Sequence, residues 1–466
     1  MHAKVDVWRV AGVTAALLVS PRVTLGAEAD PLTFRGSMSW INAYVHTSPN
    51  DSALNPDNRV LEVAQNKVVS EFRPNLKLLT SQFQIVARPR VTLEARRTEY
   101  GEDEEPSGAA AGDSDDEDNA PDAMGRSHSE MSEAFAQWTV SDSVVFAYGR
   151  QSYQWGPAEA LSPSNRIFHE TAQNKNVLYE ARGKHIARVN LSVGKWFSTV
   201  IMTEFERNED ESLFRAEEEF QSTGLIKPEV TWNGGQDYFG IVIGGREHGR
   251  GWVGQYLSLG VPFIDGLSVY GDASQQKGSD AWYPVVQDAV DPVAGGPTTA
   301  VVFARGHTED KETYTLAIGG LRYDFVHGTT VRLEYVRNDA GWDKEEREAA
   351  LKAFAEDAKP AQRALVETNL PRMLTPGLEL PGRRYAYASV HWPDFFWIKD
   401  LSVDSRAMRS IGPEGDGSAA IYGSVEYQVG EAGTIAWASS ATAGDRDSEL
   451  KGSAAPTHIA SYRHDW

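Results

Sequence analysis

Residues 83–97, FQIVARPRVTLEARR, alternate along their length. Phe83, Ile85, Ala87, Pro89, Val91, Leu93 and Ala95 are apolar; Gln84, Arg88, Arg90, Thr92, Glu94 and Arg96 are polar, with Val86 the one exception. A two-residue period held this long is a strand with one apolar and one polar face. In a soluble sheet the polar face meets bulk water. In a transmembrane barrel it meets the lumen, and the apolar face meets lipid. Recurrence around the whole chain decides between the two, and the pattern recurs. Glu71, Arg73, Asn75 and Lys77 stand opposite Phe72, Leu76 and Leu78; Val331, Leu333 and Tyr335 oppose Arg332 and Glu334; Leu401 and Val403 oppose Asp404 and Arg406. In 313–325 the apolar phase moves from Tyr314, Leu316 and Ile318 to Leu321, Tyr323 and Phe325, and Gly319-Gly320 at the slip predicts a bulge or kink.

About eighteen such strands fit between Leu32 and Trp466, with about sixteen as the alternative. The connections sort into two kinds. Thr80-Ser81, Ser141-Asp142, Gly194-Lys195, Asn233–Gln236, Val326–Gly328 and Val429–Gly433 read as tight turns. Between them lie long excursions at 98–131, 153–184, 206–223, 274–312 and 338–383. Short turns on one side and long loops on the other predict an all-β, transmembrane, antiparallel up-and-down barrel over 28–466, with periplasmic turns and extracellular loops. Aromatics crowd the tight-turn side at Trp196-Phe197, Tyr238-Phe239 and the stretch from Trp392 to Trp397, as an interfacial girdle requires.

Composition agrees. Only 41% of the chain is hydrophobic, and after residue 27 no run approaches the ~20 apolar residues of a membrane-spanning helix. Net charge is −21, which argues against nucleic acid as a partner, because a phosphate backbone needs a basic surface. The absence of Cys excludes disulfides, cysteine zinc sites and thiol chemistry. Residues 1–27 read as a signal peptide: Lys4 and Arg9 precede an apolar core, Val10–Val19, and small residues for cleavage at 25–29. A bacterial outer-membrane location is therefore expected, with membrane lipid and lipopolysaccharide as neighbours.

Three excursions carry distinct chemistry. The stretch 102–130 holds EDEE and DSDDED and reads as an acidic extracellular loop; Asp113, Asp115, Glu117 and Asn119 alternate like calcium ligands but lack the bending glycine and the closing glutamate. Residues 343–369 are rich in Ala, Glu and Lys and predict helix within an extracellular loop, interrupted near Pro360. In 149–168, GRQSYQWGPAEALSPSNRIF, the prolines Pro157 and Pro163 stiffen the chain and Gly156 permits a sharp bend. That segment suits a constriction folded into the lumen, with Arg150, Trp155, Gly156, Pro157, Asn165 and Arg166 as its candidate residues.

The same segment carries a resemblance. Gly149-Arg150-Gln151 leaving a strand, then Trp155-Gly156-Pro157 and Leu161-Ser162-Pro163-Ser164-Asn165, looks like the loop after the fifth strand in bacterial outer-membrane porin-like proteins, alginate-export-type barrels and Wzi-type capsule-assembly barrels. The resemblance extends over the mature chain in architecture and over this motif in sequence, and it does not single out one family. It implies a monomeric channel or a surface-polysaccharide protein. The last strand, HIASYRHDW, resembles the carboxy-terminal signal read by barrel-assembly machinery, with His464 where an apolar residue is more usual.

No Walker loop, HExxH, paired-cysteine site or GxSxG elbow occurs, so no catalytic residue, metal or cofactor is assigned and no enzyme is expected. Function is expected on the polar face. Arg73, Lys77, Arg88, Arg90, Glu94, Arg96, Arg332, Glu334, Asp404 and Arg406 are the candidate pore-lining residues. Their basic excess suits anionic solutes, and mutual ion pairing is the plainer account. Two readings stay open: a porin-like channel for small polar solutes, anionic ones included, and a barrel that exports or anchors a surface polysaccharide.

Overall fold

The computed structural model describes residues 32–49, 63–97, 124–206, 222–290, 297–305, 312–355 and 380–466, apart from a few residues inside these spans, with 58 and 378 besides. The expected signal peptide 1–27, the acidic stretch up to 123 and the second half of the expected helical loop, 356–369, lie outside the described residues.

The described strands are β1 (Thr33–Thr47), β2 (Asn66–Leu79), β3 (Phe83–Arg97), β4 (Met124–Ser141), β5 (Val144–Gln151) and β6 (Lys184–Val193). They continue through β7 (Phe197–Glu206), β8 (Thr223–Trp232), β9 (Asp237–Arg246), β10 (Gly251–Gly260) and β11 (Leu267–Lys277). After β12 (Trp282–Val290) and β13 (Pro297–Arg305) come β14 (Thr313–Asp324), β15 (Thr330–Asn338), β16 (Arg384–Trp392) and β17 (Leu401–Ser410). The chain finishes with β18 (Ala419–Val429), β19 (Gly433–Ala443) and β20 (Thr457–Asp465), and carries helices α1 (Lys344–Ala355) and α2 (Glu449–Ser453).

Eighteen strands, all but β12 and β13, form one sheet. Each pairs antiparallel with its neighbours, and β20 pairs with β1 from Ser39↔Asp465 to Thr47↔Thr457, closing the ring. Closure leaves no unpaired strand edge, which a backbone in hydrocarbon cannot tolerate. The eighteen-strand expectation holds, and the sixteen-strand alternative falls.

The alternation in β3 is a real separation of faces: Phe83, Ile85, Val91 and Leu93 are exposed outward, and the exception Val86 is buried inside. Phe83 stacks on Trp138 of β4 with centroids 5.7 Å apart, one link of the aromatic rim at the short-turn end. Inside, three apolar clusters line the wall. One joins Trp155, Ile167 and Phe168 to β6–β10, a second joins Ala160, Leu161 and Ala172 to β14–β17, and a third sets Val177 and Leu178 against Ala43, Ala438 and Ile459.

These clusters explain the phase change in β14, where the expected bulge or kink is absent: its pairing with β11 and with β15 runs without a register shift. The strand is regular, and what switches is the face that needs apolar side chains. Leu316 and Ile318 pack inward on the chain crossing the lumen, whereas Leu321 is exposed outward. Gly320 leaves room for the Tyr270 ring, which a Cβ there would strike. Register shifts fall elsewhere, at Arg88/Pro89, Thr139/Ser141 and His185/Ile186.

Two further expectations need correction. β4 begins at Met124, so the end of the supposed acidic loop 102–130 is strand. The excursion 274–312 holds a separate hairpin, β12–β13, and α2 interrupts the connection between β19 and β20. The hairpin packs on the loop that carries α1: Trp342 Nε1 donates to the Trp282 carbonyl at 2.9 Å, and the Phe303 and Trp342 rings lie 6.1 Å apart. The helix α1 is where the sequence placed one, opened by a reciprocal cap in which the Glu346 amide donates to Asp343 at 2.9 Å and the Asp343 amide to Glu346 at 2.8 Å.

Candidate functional site: a lumen crossed by one loop

The connection from β5 to β6, residues 152–183, carries too many apolar side chains for a solvated loop. Trp155, Leu161, Ile167 and Phe168 are all buried. Burying them takes the backbone inside with them, and each buried amide and carbonyl then needs a partner. The strand side chains of the lumen supply those partners, and their inward phase puts them in reach.

Two carboxylates hold the first half. Glu334 of β15 accepts the Glu159 amide at 2.7 Å on one oxygen and the Ala160 amide at 2.9 Å on the other, and Tyr270 of β11 donates to it at 2.8 Å. Asp272 of β11 accepts the Ser164 amide at 2.8 Å and the Ser162 hydroxyl at 2.9 Å. Beside Asp272 the chain passes at Gly156, φ +92°, where a Cβ would collide with the Asp272 carboxylate. The bend seen in the sequence thus exists because only glycine fits between loop and wall.

Four guanidinium groups hold the rest. Arg332 donates to the Pro157 carbonyl at 3.3 Å and pairs with Glu159 at 3.2 Å; Tyr387 and Ser389 donate to the same Glu159 at 3.0 Å each. Arg406 donates to the Ala172 and Lys175 carbonyls at 3.0 and 2.6 Å. Arg73 donates to the Leu178 carbonyl at 2.7 Å. Arg150 donates to the Gly183 carbonyl at 3.0 Å, where the loop re-enters the wall.

The remaining candidates divide by whether a neighbour neutralises them. Arg90 pairs with Glu71 at 2.5 Å and Glu130 at 3.2 Å, Arg88 with Glu133 at 2.8 Å, and Glu94 with Lys67 at 3.4 Å. Asp404 lies 2.8 Å from His391. Lys77 and Arg96 have no ion pair among the described residues, nor has Arg35, which faces Lys77 across β1 and β2. Within the loop, Trp155 and Asn165 are buried, Asn165 donates to Gln154 at 3.0 Å, and Arg166 bonds Gln276 and lies 6.0 Å over Trp252. Asp272, Glu159 and the cluster of Lys227, Glu229 and Tyr256 were not singled out from the sequence. Lys227 Nζ lies 2.9 Å from the Tyr256 hydroxyl and 3.1 Å from Glu229. An acid at an inward phase, as Asp272 is in LSVYGDASQQK, was the available signal.

At the long-loop end a second buried network ties three loops together. Tyr385 donates to Glu449, the Glu449 amide donates to Asp416 at 2.7 Å, and Arg347 of α1 lies 3.8 Å from the same Asp416. Burial pushes the Glu449 carboxyl up to about 7. Burial acts on Asp416 in the same sense, yet the Glu449 amide and Ser418 hold it below the usual carboxylate range.

A closed ring of eighteen antiparallel strands crossed by an internal loop is the architecture of a transmembrane β-barrel. The solved structures of similar fold include OccK5 (OpdH) of Pseudomonas aeruginosa, with 11% identity, a TM-score of 0.52, and coverage of 93% of this chain and 97% of that one. OccAB1 of Acinetobacter baumannii matches with 9% identity, a TM-score of 0.53, and coverage of 93% and 96%. OccK2 (OpdF) of Pseudomonas aeruginosa matches with 10% identity, a TM-score of 0.51, and coverage of 93% and 97%. No protein-family model and no curated protein matches the sequence. The likeness is one of fold.

Proposed function

We propose that this chain is a channel of a Gram-negative outer membrane, exported by its signal peptide 1–27, through which small polar solutes pass a constriction formed by 152–183. The observation that carries the reading is the attachment of that loop to charged and polar side chains around the inner wall, from Arg73 to Glu334 and Arg406. Such fastenings narrow a wide barrel and fix the shape of the narrow part. Arg35, Lys77 and Arg96, free of ion pairs among the described residues, favour anionic solutes; the paired Arg88 and Arg90 serve the wall itself. No step of bond making or breaking is assigned. Lipid, lipopolysaccharide and the barrel-assembly machinery are the partners this location implies.

Contact of the loop with three separate apolar clusters also supports a plugged barrel that anchors or exports a surface polysaccharide. Planar-bilayer recording separates the two. Discrete conductance steps with an anion-favouring reversal potential support the channel; a silent bilayer with correctly inserted protein supports the anchor.

A further inference from the structure

The turns of the short-turn rim are not alike. Those after β2, β4, β8 and β18 consist of Thr-Ser-Gln, Asp-Ser, Asn-Gly-Gly-Gln and Gly-Glu-Ala, and the turn after β6 adds one aromatic, Trp196. The turns after β10, β14 and β16 are apolar at their tips: Phe263 is 105% exposed, Val326 108% and Trp397 86%. These three are consecutive around the ring, since β11 pairs with β14 and β15 with β16.

The backbone accepts strain in two of the three turns. Phe263 has φ 71°, Phe396 φ 49° and Trp397 φ 63°, left-handed values that cost a bulky residue ~1–2 kcal/mol each. Strain that keeps aromatic rings at fully exposed tips points to something that covers them. The tips also continue the outward face without a break: Tyr323, Phe325, His327, Trp392 and Phe396 follow one another with ring centroids between 4.6 and 6.2 Å. Lys399, its side chain 88% exposed, sits next to Ile398 in the same turn.

We infer that these three turns form a keel that sinks into the headgroup–acyl boundary of the near leaflet, so that one sector of the barrel sits deeper than the other. The occupant is phospholipid, because the keel is continuous with the lipid-facing surface and because aromatic rings beside a lysine match that boundary. A girdle of ordinary depth would be spread over all the turns; here, Trp196 apart, the apolar tips are gathered in three consecutive turns. The inference rests on the membrane-channel reading above.

The chain has no Cys, so single nitroxide labels report cleanly. Phe263→Cys, Val326→Cys and Trp397→Cys, with Ile398→Cys as a reserve site, are labelled and reconstituted into phosphatidylcholine–phosphatidylglycerol vesicles. Leu333→Cys on the outward face and Ser81→Cys in a polar turn serve as references. Collisions with oxygen and with a water-soluble nickel chelate are then compared. The keel labels should match Leu333 in oxygen access and fall several-fold below Ser81 in nickel access. Nickel access equal to that of Ser81 overturns the keel and leaves the membrane reading intact. Shielding from both reagents overturns it in favour of contact with a second copy. A Leu333 label open to nickel defeats both the keel and the membrane reading.

Discussion

Asp272 and Ser164 lie 108 residues apart in sequence and are joined by a buried 2.8 Å bond from the Ser164 amide to the Asp272 carboxylate. With Glu334 on the amides of Glu159 and Ala160, this bond turns a surface connection into an internal beam. Removal of either carboxylate leaves buried amides with no acceptor, at ~1–3 kcal/mol each. Glu334→Ala should therefore lower the unfolding temperature measured by heat-shifted gel mobility and broaden the open-channel current. Unchanged stability together with an unchanged current would contradict the role given to Glu334.

Neighbouring glycines should behave differently. An added methyl at Gly320 meets the Tyr270 ring, while at Gly319 it meets open space. Gly320→Ala should cost ~1–3 kcal/mol through overpacking, and Gly319→Ala should be close to neutral or slightly stabilising. Urea midpoints of the two variants in matched detergent check this.

The two classes of arginine and lysine should separate in function. Arg90→Gln removes one of two guanidinium partners from each of Glu71 and Glu130, which keep Arg73 and Arg182, and should destabilise the barrel by ~1–3 kcal/mol. Arg35→Gln combined with Lys77→Gln breaks no ion pair among the described residues and should leave the melting temperature in place while moving the reversal potential toward cations. Paired thermal and electrical measurements on the same preparations decide.

Acidity should act through Glu449. Its carboxyl has an ordinary value of 4.5 and is pushed up to about 7 by burial, so the folded loop cluster holds the proton more tightly than the unfolded chain does. The associated stability is complete below pH 4.5 and is lost as pH rises through about 7, on the order of 3 kcal/mol in all. Unfolding followed between pH 4 and 8 should show this decline. Glu449→Gln, which stays neutral, should flatten it, and a slope that survived the substitution would assign it to another group.

Much of the fold was legible because a barrel writes its faces into every strand. The two-residue period in 83–97 and the sorting of turns from loops sufficed for ring and strand number. The off-ring hairpin was not legible: Trp282–Val290 carries Pro284 and a Val285-Val286 pair, and its order comes from packing on the loop around Trp342. The segment that crosses the lumen was visible through its prolines and Gly156, and its depth could have been read from Trp155, Leu161, Ile167 and Phe168. The partners of the charged residues were beyond the sequence. Arg73 and Lys77 look alike in an alternating strand, and only the path of a distant loop makes one a fastening and leaves the other open.

Arg406 and Arg73 grip the loop within a few residues of each other, at Lys175 and Leu178, yet they reside near opposite termini of the polypeptide. They become neighbours only after β20 has joined β1. These two grips, unlike those of Asp272 and Glu334, therefore span the seam at which the cylinder closes. A chain truncated ahead of its final strand would keep the anchorage at 157–164 and forfeit the shared hold on 172–178.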